Sequence, residues 1–63
     1  MNIGQRIQFL RRYMVAESGY WSWETETIEG VITRFCRNGD AEIKTDDGRS
    51  IILDKRCEIL EIE

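Results

Sequence analysis

Asn38-Gly39-Asp40-Ala41-Glu42-Ile43-Lys44-Thr45-Asp46-Asp47-Gly48-Arg49 sets an alternating apolar and polar stretch between two tight-turn signals, and the apolar run Ile51-Ile52-Leu53 follows it. Glycine beside Asn or Asp supplies the positive φ that a two-stranded hairpin turn needs, and period-two alternation marks a half-buried strand. These residues therefore specify a strand ladder in the second half of the chain.

Upstream, Thr25 to Cys36 is rich in β-branched residues and reads as one long strand. The period of two places Ile28, Gly30, Ile32 and Cys36 on one face, and Trp23, Thr25, Thr27, Val31, Thr33 and Phe35 on the other. Gly30 in mid-strand predicts a bend or a close backbone approach. Glu17-Ser18-Gly19-Tyr20-Trp21-Ser22-Trp23 reads as a loop entering that strand. Residues 4–14 fit two patterns: Ile3, Ile7, Leu10 and Met14 make a helical stripe, whereas Ile7 and Phe9 flanking Gln8 make a strand. Gly4 and the extended chemistry of the remaining chain favour the strand. Asp54-Lys55-Arg56 reads as a short helical or turn connection, with the helical turn expected in the assembled fold, and Ile59 to Ile62 as a closing strand. The expected fold is all-β, a five-stranded barrel forming a single domain over residues 1–63. Its expected core is Ile7, Ile28, Ile32, Ile43, Ile51 and Leu53.

A chain of 63 residues hides only about 60% of the surface that its unfolded form exposes, so a staple or a partner would add much to its stability. Two cysteines, Cys36 and Cys57, and no histidine fall short of the four ligands of a structural zinc site. They are expected to pack reduced, since a disulfide needs an oxidising compartment. Met1-Asn2-Ile3-Gly4-Gln5-Arg6 offers no apolar leader, so the expected location is cytoplasmic, with no membrane contact.

Twelve acids against nine bases give a net charge of −3, which argues against a dedicated duplex nucleic-acid binder. Between Tyr13 and Thr33 lie Glu17, Glu24, Glu26 and Glu29 with no base; Arg6, Arg11, Arg12, Arg34, Arg37, Lys55 and Arg56 lie outside that interval. Closure into a barrel would gather the bases opposite the acids. The alternative is that they are solvated rims that discourage edge-to-edge association.

Ile3-Gly4-Gln5-Arg6-Ile7 is similar to the first strand of SH3-like small β-barrels, and Gly48 to Leu60 resembles their strand, helical turn and closing strand. Within that class the order of signals most resembles the plasmid-type (type II) dihydrofolate reductases. Where those enzymes carry Val-Gln-Ile-Tyr to line a tetramer pore, this chain has Ile51-Ile52-Leu53-Asp54. The resemblance thus implies a barrel that associates, with reductase activity altered or lost.

No catalytic constellation, cofactor loop or metal-ligand set stands out: there is no histidine, and Asp46-Asp47-Gly48 is explained by a hairpin turn. A non-catalytic module acting by protein contact, through a partner or through self-association, is the leading expectation. Its candidate surface is Trp21, Trp23, Val31, Phe35 and Ile52, apolar residues on faces away from the expected core. The alternative is a single-stranded nucleic-acid barrel, with Tyr20 or Trp21 stacking on bases and Arg11, Arg12, Arg34 and Arg37 near phosphates.

Overall fold

The computed structural model describes residues 1–63. Five antiparallel strands form one sheet: β1 (Arg6–Glu17), β2 (Tyr20–Phe35), β3 (Ala41–Thr45), β4 (Ser50–Leu53) and β5 (Glu58–Ile62), in the spatial order β4-β3-β2-β1-β5. The ambiguous N-terminal stretch is strand. So is most of the segment expected as a loop: Ser18 and Gly19, at φ 51° and 86°, make a two-residue turn, and Glu17 pairs with Tyr20 across it. The two hairpins expected from Asn38-Gly39 and Asp47-Gly48 form as read. In the second, the Thr45 hydroxyl and the Asp47 carboxylate hold the turn, with Arg49 N–H donating to Thr45 Oγ1 at 2.8 Å.

The sheet coils. In a flat sheet of this register, the end of β4 and the start of β5 would lie about 30 Å apart. The four residues between them reach about 18 Å at most. Gly30 permits the coil, because a Cβ there would lie 2.8 Å from Ile43 Cγ2 and would also meet the Lys44 carbonyl. The side chain is missing where one strand folds close over the next.

Coiling puts one core on the concave side: Ile7, Phe9, Ile28, Ile32, Ala41, Ile43 and Leu53, with Ile51 and Cys57 packed against it. Five of the six expected core residues are buried there, and Ile51 is half-buried. Phe9, fully buried, is the largest member, and its place follows from sharing the face of Ile7.

Two details of the expected barrel are corrected. The sheet does not close: β4 and β5 make no ladder. With every neighbouring pair antiparallel, the two edge strands run in the same direction, and a parallel pair needs a crossover of a dozen or more residues, not four. The helical turn before the last strand is also absent. Residues 54–57 form a single turn, in which Cys57 N–H donates to the Asp54 carbonyl at 3.1 Å and Arg56 N–H to Asp54 Oδ1 at 2.9 Å. The aspartate side chain takes the amide that a helix would have used, and so ends the turn there.

A third correction concerns which way Phe35 faces. A bulge at Thr33 shifts the register, so Arg34 pairs with Glu42 and Phe35 with Ala41. One extra residue reverses the alternation beyond it. Phe35 therefore lies on the side of buried Ala41, at the rim of the core, and not with Val31.

Candidate protein-contact surface

β3 covers β2 only from Gly30 onward, and β5 covers β1 only from Ile7 to Leu10. The remainder, Arg11–Glu17 with Tyr20–Ile28, is a two-stranded ribbon projecting from the sheet, which gives the molecule extents of 41 × 23 × 20 Å. Its inner face continues the core row through Arg11, Tyr13 and Val15, all half-buried. Its outer face carries Arg12, Met14 and Ala16 opposite Thr25, Trp23 and Trp21.

That outer face is apolar and exposed. Trp21 and Trp23 are each 69% exposed and Met14 is 50% exposed. Trp23 stands opposite Met14, and Trp21 opposite Ala16, so three large groups form one stripe. Tyr20, 61% exposed, lies at the tip opposite Glu17, on the other face of the ribbon.

The other expected contact residues do not join this stripe. Val31 is half-buried and pairs with Arg6 and Lys44 near the bend. Ile52, opposite Glu42, and Phe35, opposite Ala41, fall on different faces of the sheet. Val31 lies eight positions beyond Trp23 along β2, about 26 Å of extended strand. Met14, which the sequence offered only as part of a helical stripe and not as a contact residue, enters the site because the Ser18-Gly19 turn fixes its register against Trp23.

The basic residues do not form a single patch: four are tied to carboxylates, and three of the others share one groove. Arg6 donates to both Asp46 oxygens at 3.2 and 2.8 Å. Arg11 and Arg49 both reach Glu26 Oε1, at 3.2 and 3.3 Å, so one carboxylate ties the base of the ribbon to the β3–β4 turn. Arg11 also lies 5.9 Å from the Tyr13 ring centroid, and Arg34 holds Glu42 at 2.8 Å. Arg12, Arg37, Lys44, Lys55 and Arg56 make no ion pair. Of these, Arg12, Lys55 and Arg56 line a shallow groove beside Trp23 and Thr25.

Two local environments shift titrations. The Thr45 hydroxyl and then the Arg49 guanidinium hold the Asp47 carboxyl at about 2, and the Arg6 hydrogen bond lowers Asp46. Burial raises the Cys57 thiol, despite the Asp54 backbone hydrogen bond that opposes it. Cys36 and Cys57 are both free and half-buried. No group of three or more His, Cys, Asp or Glu is placed to hold a metal ion, and no helix is long and apolar enough to cross a membrane. Compared with protein-family models, curated proteins and solved structures, the chain matches none.

Proposed function

We infer that this chain is a small non-catalytic binding module that acts by protein contact, through the outer face of its projecting ribbon. The observation that carries this reading is the placement of Trp21 and Trp23, both 69% exposed and in line on one face with Met14. Large exposed aromatics are the residues that anchor protein interfaces, and a contiguous apolar stripe on a domain this small marks a contact. The surface is narrower than the sequence suggested: Trp21 and Trp23 remain in it, Met14 joins it, and Val31, Phe35 and Ile52 lie elsewhere.

Capture from a host extract tests this. The wild-type chain should retain a defined protein that folded Trp21→Glu and Trp23→Glu variants lose. Retention unchanged by both substitutions would contradict the reading.

A second reading, a barrel-class binder of single-stranded nucleic acid, is favoured by the unpaired Arg12, Lys55 and Arg56 around Trp23. Cations on phosphates with an indole on a base is the pattern of such sites. Salt separates the two: a phosphate-driven complex weakens steeply as salt rises, an apolar protein contact does not. A reductase-like oligomer has the least support, because β4 supplies Ile51, Ile52 and Leu53 where folate and nicotinamide would need donors and acceptors.

A further inference from the structure

Because the sheet coils without closing, a seam remains between β4 and the part of β1 that extends past β5. It holds a cavity of about 240 Å³, walled by Arg11 and Arg12 of β1, Ser50–Ile52 of β4 and the turn before β5. Three guanidiniums line it, those of Arg11, Arg12 and Arg56, against the single carboxylate of Asp54. That carboxylate is already engaged: Asp54 Oδ1 accepts from Arg56 N–H at 2.9 Å and from the Cys57 thiol at 3.7 Å. Glu26 holds Arg11 at 3.2 Å. Arg12 and Arg56 are exposed and make no ion pair. Two planar forks of donors therefore share one cavity with no anion to match them, and beside Ile51 and Ile52 their attraction for one exceeds that in open water.

The cavity opens into the groove beside Trp23. Arg12, Arg56 and Cys57 line both, and the groove adds Trp23, Thr25 and Glu58. Thr25 stands opposite Arg12, and Trp23 is the next residue on that face, which sets Trp23 about 7 Å from Arg12 on the diagonal. A ribose bridges such a distance between a phosphate and a base. Glu58 disfavours a phosphate in the groove and can accept from sugar hydroxyls, so the two ends of a nucleotide are sorted by charge.

We propose that the seam binds a nucleoside monophosphate, with its phosphate between Arg12 and Arg56, its sugar beside Glu58 and its base stacked on Trp23. Phosphate satisfies two guanidinium forks at once, where a lone carboxylate matches one. A terminal phosphate carries a charge of about −1.5 to −2 at neutral pH, which suits two free arginines better than the single charge of a phosphate inside a strand. The site goes beyond the protein contact, since it uses neither Trp21 nor Met14, and it stands whether or not the tryptophan stripe holds a partner.

Calorimetric titration of the full chain with adenosine monophosphate tests the proposal, beside ribose phosphate and an oligoadenylate with and without a terminal phosphate. Adenosine monophosphate should bind about tenfold more tightly than ribose phosphate, the worth of one stacked base. Arg12→Ala and Arg56→Ala should each weaken it about tenfold. Arg37→Ala, which removes an equally exposed and unpaired charge elsewhere, should leave it unchanged, as should Trp21→Ala. The nucleotide should also slow alkylation of Cys57, which lines both cavity and groove, and not that of Cys36. An oligoadenylate that binds only when it carries a terminal phosphate extends the same site to strand ends. Failure to bind at millimolar nucleotide overturns the proposal, as does equal affinity for ribose phosphate or equal weakening by Arg37→Ala. So does an oligoadenylate without a terminal phosphate that binds as tightly as the monophosphate, which would favour the single-strand reading instead.

Discussion

Trp23 stands directly opposite Met14 across the β1–β2 ladder, and both side chains face water, at 69% and 50% exposure. The pairing is set by the turn at Ser18-Gly19, well before Ile28, the first residue of β2 to enter the core. Elevation of an apolar pair on a ribbon, away from the core, separates the buried residues that hold the fold from the surface proposed to bind.

That separation predicts different costs for different aromatics. Trp23→Ala should change stability by no more than about 1 kcal/mol, the size of one exposed cross-strand pair. Phe9→Ala empties the centre of the core and should cost about 3–5 kcal/mol, enough to unfold much of so small a domain. Chemical denaturation of the two variants checks this. Equal losses would mean that the ribbon is part of the cooperative core.

Phe35 tests the bulge. At the rim beside Ala41 and 41% exposed, Phe35→Ala should cost about 1 kcal/mol through partial burial and leave partner capture unchanged. Loss of capture with full stability would return Phe35 to the contact surface.

Gly30→Ala should be far worse than a surface substitution. The added Cβ meets the Lys44 backbone and Ile43 Cγ2, and backbone cannot rotate away as a side-chain end can. A loss of about 3 kcal/mol is expected from such overpacking, read as a lower denaturation midpoint. A neutral substitution would show that the coil is looser than the close approach implies.

Acid stability follows from the β3–β4 turn. Asp47, at about 2, and Asp46, lowered by Arg6, have folded-state values below the unfolded carboxylate value of about 3.9. A depressed group stabilises the fold fully above its unfolded value and loses that contribution as pH falls through its folded value. The thermal midpoint should therefore drop between pH of about 4 and about 2, with a shallower drop in Asp47→Asn. Identical profiles for the two proteins would show that Asp47 does not contribute.

The hairpins at Asn38-Gly39 and Asp47-Gly48 were legible because Gly beside Asn or Asp states its turn locally, and the core was legible wherever alternation was unbroken. Ser18-Gly19 carried a weaker signal, since serine rarely takes φ of 51°, so the ribbon looked like a loop. The Thr33 bulge has no glycine to announce it, which is why Phe35 fell on the wrong face. Barrel closure failed on strand direction, a property of the whole sheet that no single segment states. Trp21 and Trp23 could be placed on one face from their spacing; Met14 could not, because its register depends on the turn.

The two tryptophans of the chain both lie on the proposed surface, so their fluorescence reports it without interference. The decisive measurement is quenching of that fluorescence by a neutral solute such as acrylamide, in the free chain and in complex with the captured protein. Free access is expected in the isolated chain, and strong protection, with emission shifted to the blue, in the complex. Quenching that is unchanged by the bound protein would contradict it, because the contact would then lie away from Trp21 and Trp23.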